Sequence, residues 1–460
     1  MMTTASGSIT VGIDIGTTAV KAVAADETGA VVAQARVAHR VLSPAPDLLE
    51  HDALRAWCRS PRMALAEVGA TAPQVAGVCV ASMVPSLAVV DGRGIPRSPG
   101  LLYGDARGRV ADRHAGPGGA AGMPDAEGFV GWAAREAPGA AGYWPAQAVA
   151  NYALGRVPAI DTAMAMSMGG LHHGGAWDAA ALDRLGATES QMPVVVQMGT
   201  AAGEVLGTGA ALAGGTVDAL CDQIVSGATE VGDVLVICGA TLVVWAVVPD
   251  WIEVSGLWTV PHTVPGRVLV GGPSNAGALF VDWAASLLGD PGPVGPSSIG
   301  ETGRGGDPRG VPVWLPYVRG ERAPFHDTTL RASVHDLDIT HRPSDMLRGA
   351  YESSGFVVRH MLDRAGLVAR RIVASGGGTR RPGWMEAIAD ATGLPVDVVG
   401  VPEGAALGAA YMARMAAGLE ESLDGASRWA SVNRRVEPDA RWRAPVDDRY
   451  GRFIELGPTG

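Results

Sequence analysis

The sequence predicts an α/β fold built twice over. Short apolar strands near the N-terminus give way to alternating strand and helix periods, the order of an α/β domain. A strand, a Gly-x-Thr turn and a return strand occur at residues 11–25 and again at 234–248, which suggests a duplicated fold with a cleft between its copies. A length of 460 residues suits two or three domains, each with its own core.

Taken in order, Ile9 to Asp14 reads as a buried strand, Gly16-Thr17-Thr18 as a turn and Ala19 to Ala25 as the return strand. The turn Asp26 to Ala30 leads to a third strand, Val31 to Ala38, so the opening is an antiparallel meander. Helical periodicity covers Ala53 to Val68. Val75 to Ala81 and Ser86 to Val90 are strands, and helical and loop material follows to about Ala213. The order restarts with strand Asp233 to Cys238, turn Gly239-Ala240-Thr241 and strand Leu242 to Val248. Gly289 to Pro312, rich in Gly, Pro and Ser, reads as a long surface loop. Arg371 to Ala374 is a strand, Met385 to Thr392 helical, and Gly404 to Ala417 a helix of small residues suited to close packing. Gly451 to Gly460 reads as a loose tail. The expected domains are 9–213 and 214–420, with 421–460 as an extension.

Composition removes several function classes. With 36 basic residues against 47 acidic ones and a net charge of −11, the chain is a poor match for a nucleic-acid phosphate backbone. At 47% hydrophobic and 18% charged residues it is too apolar for a disordered chain. The start shows no signal peptide, and the longest apolar run, Val234 to Val248, is broken by Gly239 and Thr241, so a membrane span is not expected. Cys58, Cys79, Cys221 and Cys238 lie far apart without a metal-ligand pattern, and a reducing cytoplasm is the default. Adjacent His172 and His173 read as solvated loop residues. Lys21 is the single lysine among the 36 basic residues.

Four segments carry chemistry. Asp14-Ile15-Gly16-Thr17-Thr18 sets a carboxylate at a strand end before a turn of amides and hydroxyls, equipment for a nucleotide phosphate and its magnesium, or simply a hairpin turn. No Walker-type loop is present. Asp222, with Gln223, reads as the start of a helix, where the dipole keeps a carboxylate ionised as a general base requires; an N-cap is the commoner use of such an aspartate. Gly376-Gly377-Gly378 joins a strand to a helix and admits a ligand against bare backbone, or is a tight connection. Tyr103-Gly104-Asp105-Ala106-Arg107 packs an aromatic, an acid and a base, which suits a polyol or a surface ion pair.

In order and spacing these pieces, together with Leu49-Glu50-His51-Asp52 to Trp57, Leu315 to Pro324 and Ala389-Asp390, resemble the FGGY family of carbohydrate kinases, within the actin/Hsp70/hexokinase superfamily. The likeness runs from about Val11 to Ala417. It implies two ribonuclease-H-like domains with a cleft between them, ATP and Mg2+ as cofactors, and a small sugar or polyol as substrate. It assigns Asp222 as the base, and Asp14 with Asp222 as metal ligands. Asp14, Gly16, Thr17, Thr18, Lys21, Gly239 and Thr241 would serve the phosphates, and Gly376, Gly377, Gly378 and Arg381 the adenosine side. Val84, Pro85, Tyr103, Asp105, Asp222 and Gln223 would meet the sugar. A cytoplasmic location follows, and a homodimer is compatible with it.

The chain departs from that pattern in several places, among them a Gly/Ala-rich and short stretch from Arg107 to Val130 and the absence of the Arg-Glu pair of glycerol kinases. Xylulokinases commonly carry Gln-Met-His-Gly where this chain has Met83-Val84-Pro85-Ser86, so the sugar pocket is expected to be rebuilt. Ala240 replaces a hydroxyl residue in the second phosphate motif. A ketopentose such as xylulose is the first expectation for the substrate, with glycerol, erythritol or gluconate as others. A non-catalytic sugar or nucleotide sensor on the same fold is the alternative of a different class.

Overall fold

The computed structural model describes residues 8–45, 48–72, 74–108, 124–289, 304 and 306–458. The chain forms two compact α/β units, Met1–Val225 with Glu403–Trp429, and Ser226–Pro402 with Ala430–Gly460.

In the first unit a seven-stranded sheet runs in the order Ala201–Glu204, Ala211–Ala213, Val75–Ser82, Ile9–Ile15, Ala19–Ala25 and Val31–Ala38, with Thr216–Val217 also pairing with Val75–Ser82. Ile9–Ile15 is buried along its whole length, as a strand covered on both faces should be. It pairs antiparallel with Ala19–Ala25 and parallel with Val75–Ser82. Val31–Ala38, at the edge, largely alternates half-buried and exposed residues. The expected meander is therefore present, and helix Ser60–Gly69 follows a single π-helical stretch, Leu54–Arg59. A smaller five-stranded sheet joins Val41–Leu42, Glu50–His51, Gly100–Leu102, Ser86–Val90 and Gly142–Trp144. It carries the Leu49 to Trp57 and Tyr103 to Arg107 segments.

The second unit repeats the scheme. Its sheet runs Trp258–Pro261, Val268–Ser274, Leu242–Val248, Asp233–Cys238, Arg371–Ser375, Val396–Val399 and Val432–Val436. Asp233–Cys238 pairs antiparallel with its return strand and parallel with Arg371–Ser375, the arrangement of Ile9–Ile15 in the first unit. The repeated hairpin noticed in the sequence is thus the visible part of a larger duplication.

The structure divides the chain elsewhere than at the expected boundaries of 213/214 and 420/421. Helix Asp218–Ser226 begins in the first unit, and helix Gly404–Ala416 returns to it. A Cβ on Gly12 would lie 1.8 Å from the Ala406 carbonyl oxygen, and one on Gly408 would lie 2.0 Å from that of Cys221. Small residues let this helix touch both the central strand and the Asp222 helix, which agrees with the packing role expected for it. Residues 430–460 are not an extension. Val432–Val436 closes the second sheet against Val396–Val399, and helix Ala440–Leu456 buries Trp442, Val446, Tyr450 and Phe453. The expected tail from Gly451 is therefore helical as far as Leu456; four apolar residues at helical spacing form one buried stripe.

Other expectations fall differently. His172 and His173 form a two-residue strand paired with Ala176–Trp177, and the His172 ring packs edge-on to Trp177 at 5.2 Å. The long loop expected over Gly289 to Pro312 falls mostly on residues outside those described. Among the described residues no helix is long and apolar enough to cross a membrane.

Candidate functional site

The first hairpin sets its polar groups on a wholly apolar strand. Asp14 is 5% exposed at the end of Ile9–Ile15, cross-strand from Lys21, whose Nζ lies 3.4 Å from Asp14 Oδ2. Burial raises the Asp14 pKa and the Lys21 charge works against that rise, while Glu403 adds to it. The Gly16 amide donates to the Ala19 carbonyl at 3.0 Å and closes the turn. The two threonines then diverge. Thr17 is buried and its Oγ1 shares a 2.9 Å hydrogen bond with Tyr103 OH, whereas Thr18 is exposed. Thr18 therefore offers its hydroxyl outward, and Thr17 is left to act through its backbone.

Two histidines lie beneath the same turn. Trp57 Nε1–H donates to His51 Nδ1 at 3.0 Å, so the proton of the neutral ring sits on Nε2, which donates to the Thr17 carbonyl at 2.8 Å. His39 Nε2 donates to the Gly16 carbonyl at 3.0 Å. Burial, then the neighbouring His39 ring, lowers the His51 pKa to about 4, and burial lowers that of His39.

Helix Asp218–Ser226 carries Asp222 in its middle, one turn further along than a helix start. The first-turn aspartate is Asp218, whose carboxylate accepts from the Ala219 amide at 2.7 Å. Asp218 and Asp222 are four residues apart and share a helix face. Burial and then the Asp14 charge raise the Asp218 pKa to about 6, so this helix starts within the field of the first hairpin. Asp222 and Gln223 are both buried, at 5% and 3% exposed.

The expected sugar residues are distributed otherwise. Asp105 is fully buried, and its two oxygens accept from the Leu49 amide at 2.6 Å and from the Arg107 amide, Nε and Nη2 at 2.7–2.9 Å. Arg107 also bonds Glu50 at 2.6 Å. This carboxylate joins two chain segments and is not set to take a sugar hydroxyl; nor is the cluster a surface ion pair. Tyr103 faces Thr17. Val84 packs against the first core and Pro85 is buried, so both present apolar surface.

In the second unit the two glycine-rich segments lie side by side. Gly376 has φ +90° and, like Gly378, presses on Cys238, with a hypothetical Cβ 2.8 Å and 2.9 Å from its atoms respectively. Cys238 directly precedes Gly239. The Gly239 and Ala240 carbonyls accept from Ala278 and Leu279 amides at 2.9 and 3.0 Å, so the start of helix Ala278–Leu287 supports the second hairpin. Thr241 is half-buried at the tip. Gly377–Arg380 forms a short 3-10 turn. Arg381, expected on the adenosine side, pairs with Asp282 and donates to Tyr351 OH at 3.3 Å.

Among the described residues no group of three or more His, Cys, Asp or Glu could hold a metal ion. Asp14 is a buried carboxylate beside a turn of backbone amides, an oxygen donor of the kind a magnesium ion takes, with the rest of the shell left to other ligands. Sequence reasoning missed Asp218, Glu403 and His39, and gave His51 no role. Asp218 was visible as an acid one helical turn before Asp222. The histidines carried no signal, because their contacts span 23 and 34 residues.

The family model described as the FGGY family of carbohydrate kinases, N-terminal domain, matches residues 9–109, and its C-terminal domain matches residues 234–417. A xylulose kinase of Escherichia coli is 28% identical over 207 residues, 44% of this chain and 42% of that protein. A glycerol kinase of Cereibacter sphaeroides is 35% identical over 150 residues, 31% of this chain and 30% of that protein. The chain thus spans less than half the length of these two curated relatives. The structure of a xylulose kinase from Rhodospirillum rubrum is similar over 97% of this chain and 98% of that one, with a TM-score of 0.75 and 25% identity.

Proposed function

The chain belongs to the FGGY family of carbohydrate kinases, and from that membership we propose that it transfers the γ-phosphoryl group of ATP to a primary hydroxyl of a small sugar or polyol. The observation that carries this reading is the buried Asp14 carboxylate paired with Lys21 across the first hairpin, with the helix of Asp222 starting, in the same unit, close enough for Asp218 to feel the Asp14 charge.

Phosphoryl transfer requires in-line positioning and charge neutralisation more than covalent chemistry. Thr18 and the turn amides face the phosphates; Lys21 opposes protonation of Asp14; Asp14 holds the magnesium of the nucleotide complex or its waters. That ion, when bound, supplies charge neutralisation at the phosphate oxygens. Asp222 takes the proton of the acceptor hydroxyl as its oxygen bonds to the γ-phosphorus and the bond to ADP breaks. Family membership would assign Gly239 and Thr241 of the second unit to the phosphates and its Gly376 to Gly378 turn to the adenosine. The acceptor is a ketopentose such as xylulose, a reading supported by the xylulose kinases among the relatives. The enzyme works in the cytoplasm, where ATP is supplied.

Asp222→Asn tests the assignment. Turnover should fall by roughly 10²-fold or more while the affinity for MgATP stays unchanged. Retained turnover would move the base elsewhere.

A further inference from the structure

The segments Leu49 to Trp57 and Tyr103 to Arg107 are left without a catalytic task, yet both converge on three residues. Every carbonyl of the Gly16-Thr17-Thr18 turn has a donor. The Gly16 carbonyl accepts from His39 Nε2 at 3.0 Å, that of Thr17 from His51 Nε2 at 2.8 Å, and that of Thr18 from the His39 amide at 3.0 Å. The Thr17 hydroxyl is held inward by Tyr103 OH at 2.9 Å. The supporting pieces are tied to one another. Asp105 accepts from the Leu49 amide, Arg107 bridges Asp105 and Glu50, and Trp57 fixes the His51 ring. The His39 and His51 rings meet edge to face at 4.5 Å.

In a trans peptide the carbonyl and the amide of one plane point in opposite directions. Holding the Gly16 and Thr17 carbonyls toward the histidines therefore directs the Thr17 and Thr18 amides the other way. Two carbonyl dipoles are withdrawn from the face where an anion would sit, and successive amides are presented to it. A turn free to rotate would spend part of its time with a carbonyl facing the phosphates, which repels them.

We propose that His51, His39 and Tyr103 are positioning residues that preset the Gly16–Thr18 turn for a nucleotide phosphate, and that the Leu49 to Trp57 and Tyr103 to Arg107 segments are the frame that holds them. This rests on the reading of that turn as the phosphate site, and it gives the Tyr103 hydroxyl and the Asp105 carboxylate a task on the nucleotide side of the reaction.

The test uses the full chain with Tyr103→Phe, His51→Leu and His51→Gln, where the Gln amide can still donate to the Thr17 carbonyl. Hydrogen exchange of the ligand-free protein reads the turn directly, and steady-state kinetics reads its use. Tyr103→Phe and His51→Leu should speed exchange of the Thr17 and Thr18 amides and raise the KM for MgATP by roughly five- to tenfold, the weight of one buried hydrogen bond. The KM for the acceptor should stay unchanged, and His51→Gln should recover most of the loss. Unchanged exchange in Tyr103→Phe, a nearly isosteric variant that should keep the fold, overturns the proposal. So does a rise confined to the acceptor KM. Should the wild-type chain use no nucleotide, the kinase reading fails by itself, and the exchange rates still decide for or against the frame.

Discussion

The ammonium of Lys21 lies 3.4 Å from the buried Oδ2 of Asp14, directly across the first hairpin, and Lys21 is the chain's single lysine. Burial pushes the Asp14 pKa up and this cation opposes the push. Removing it lets the carboxyl hold its proton to higher pH. Lys21→Met is expected to move the acid limb of the kcat/KM profile for MgATP toward alkaline pH and to lower kcat/KM at neutral pH by about tenfold or more. Lys21→Arg should keep most of the activity, since a cation suffices. A silent Lys21→Met would show that the pairing is incidental.

Asp218→Asn should stabilise the protein. Asp218 is half-buried by surface, but desolvation and the Asp14 charge raise its pKa to about 6 from 3.8. A raised carboxylate favours its neutral form in the fold, so the stability it contributes is present below its unfolded pKa and lost as pH rises through about 6. At pH 7.5 the variant should be more stable by ~1–2 kcal/mol after allowing for solvent screening, with the gain vanishing near pH 3.8. Urea denaturation at the two pH values checks this. Lost activity with that gain would mark Asp218 as part of the site.

His51 should leave the opposite signature. Its pKa is depressed to about 4 from 6.5, so the neutral ring is the folded form. The stability it contributes is complete above 6.5 and falls away as pH drops toward 4, by roughly 3 kcal/mol in all. His39, also depressed by burial, acts in the same direction. The difference in unfolding free energy between wild type and His51→Gln should therefore narrow steadily from pH 7 to pH 4. A constant difference would contradict a buried neutral imidazole.

Gly12→Ala should be among the most damaging small substitutions in the chain. Its methyl would enter the Ala406 carbonyl at 1.8 Å, forcing the central strand and the Gly404–Ala416 helix apart. A loss of about 3 kcal/mol or more is expected, read as a lower midpoint in denaturant. A loss below about 1 kcal/mol would show that the helix is not seated on Gly12.

The hairpins were legible because doubly covered strands leave continuous apolar runs, and the turn residues between them punctuate those runs. Asp14, Lys21 and the paired glycine-rich turns could be found on that basis. The division into units was not legible: the chain crosses between them at Val225, Pro402 and Trp429 without any change in composition. The start of the Asp222 helix was misplaced by one turn, since Asp218 and Asp222 are equally good first-turn residues and only tertiary packing chooses between them. Tyr103 and Asp105 look like polyol ligands by type. Their partners, Thr17 and Leu49, lie 86 and 56 residues away, a distance over which residue type says nothing about contact.

The most direct measurement is ADP release by the purified full chain with MgATP and a panel of ketoses, pentitols, tetritols, glycerol and gluconate. Release that depends on the acceptor, fastest with a ketopentose and abolished in Asp222→Asn, is the expected result. Thermal stabilisation by MgATP and a sugar without ADP release from any acceptor would contradict a kinase and leave a sensor on the same fold.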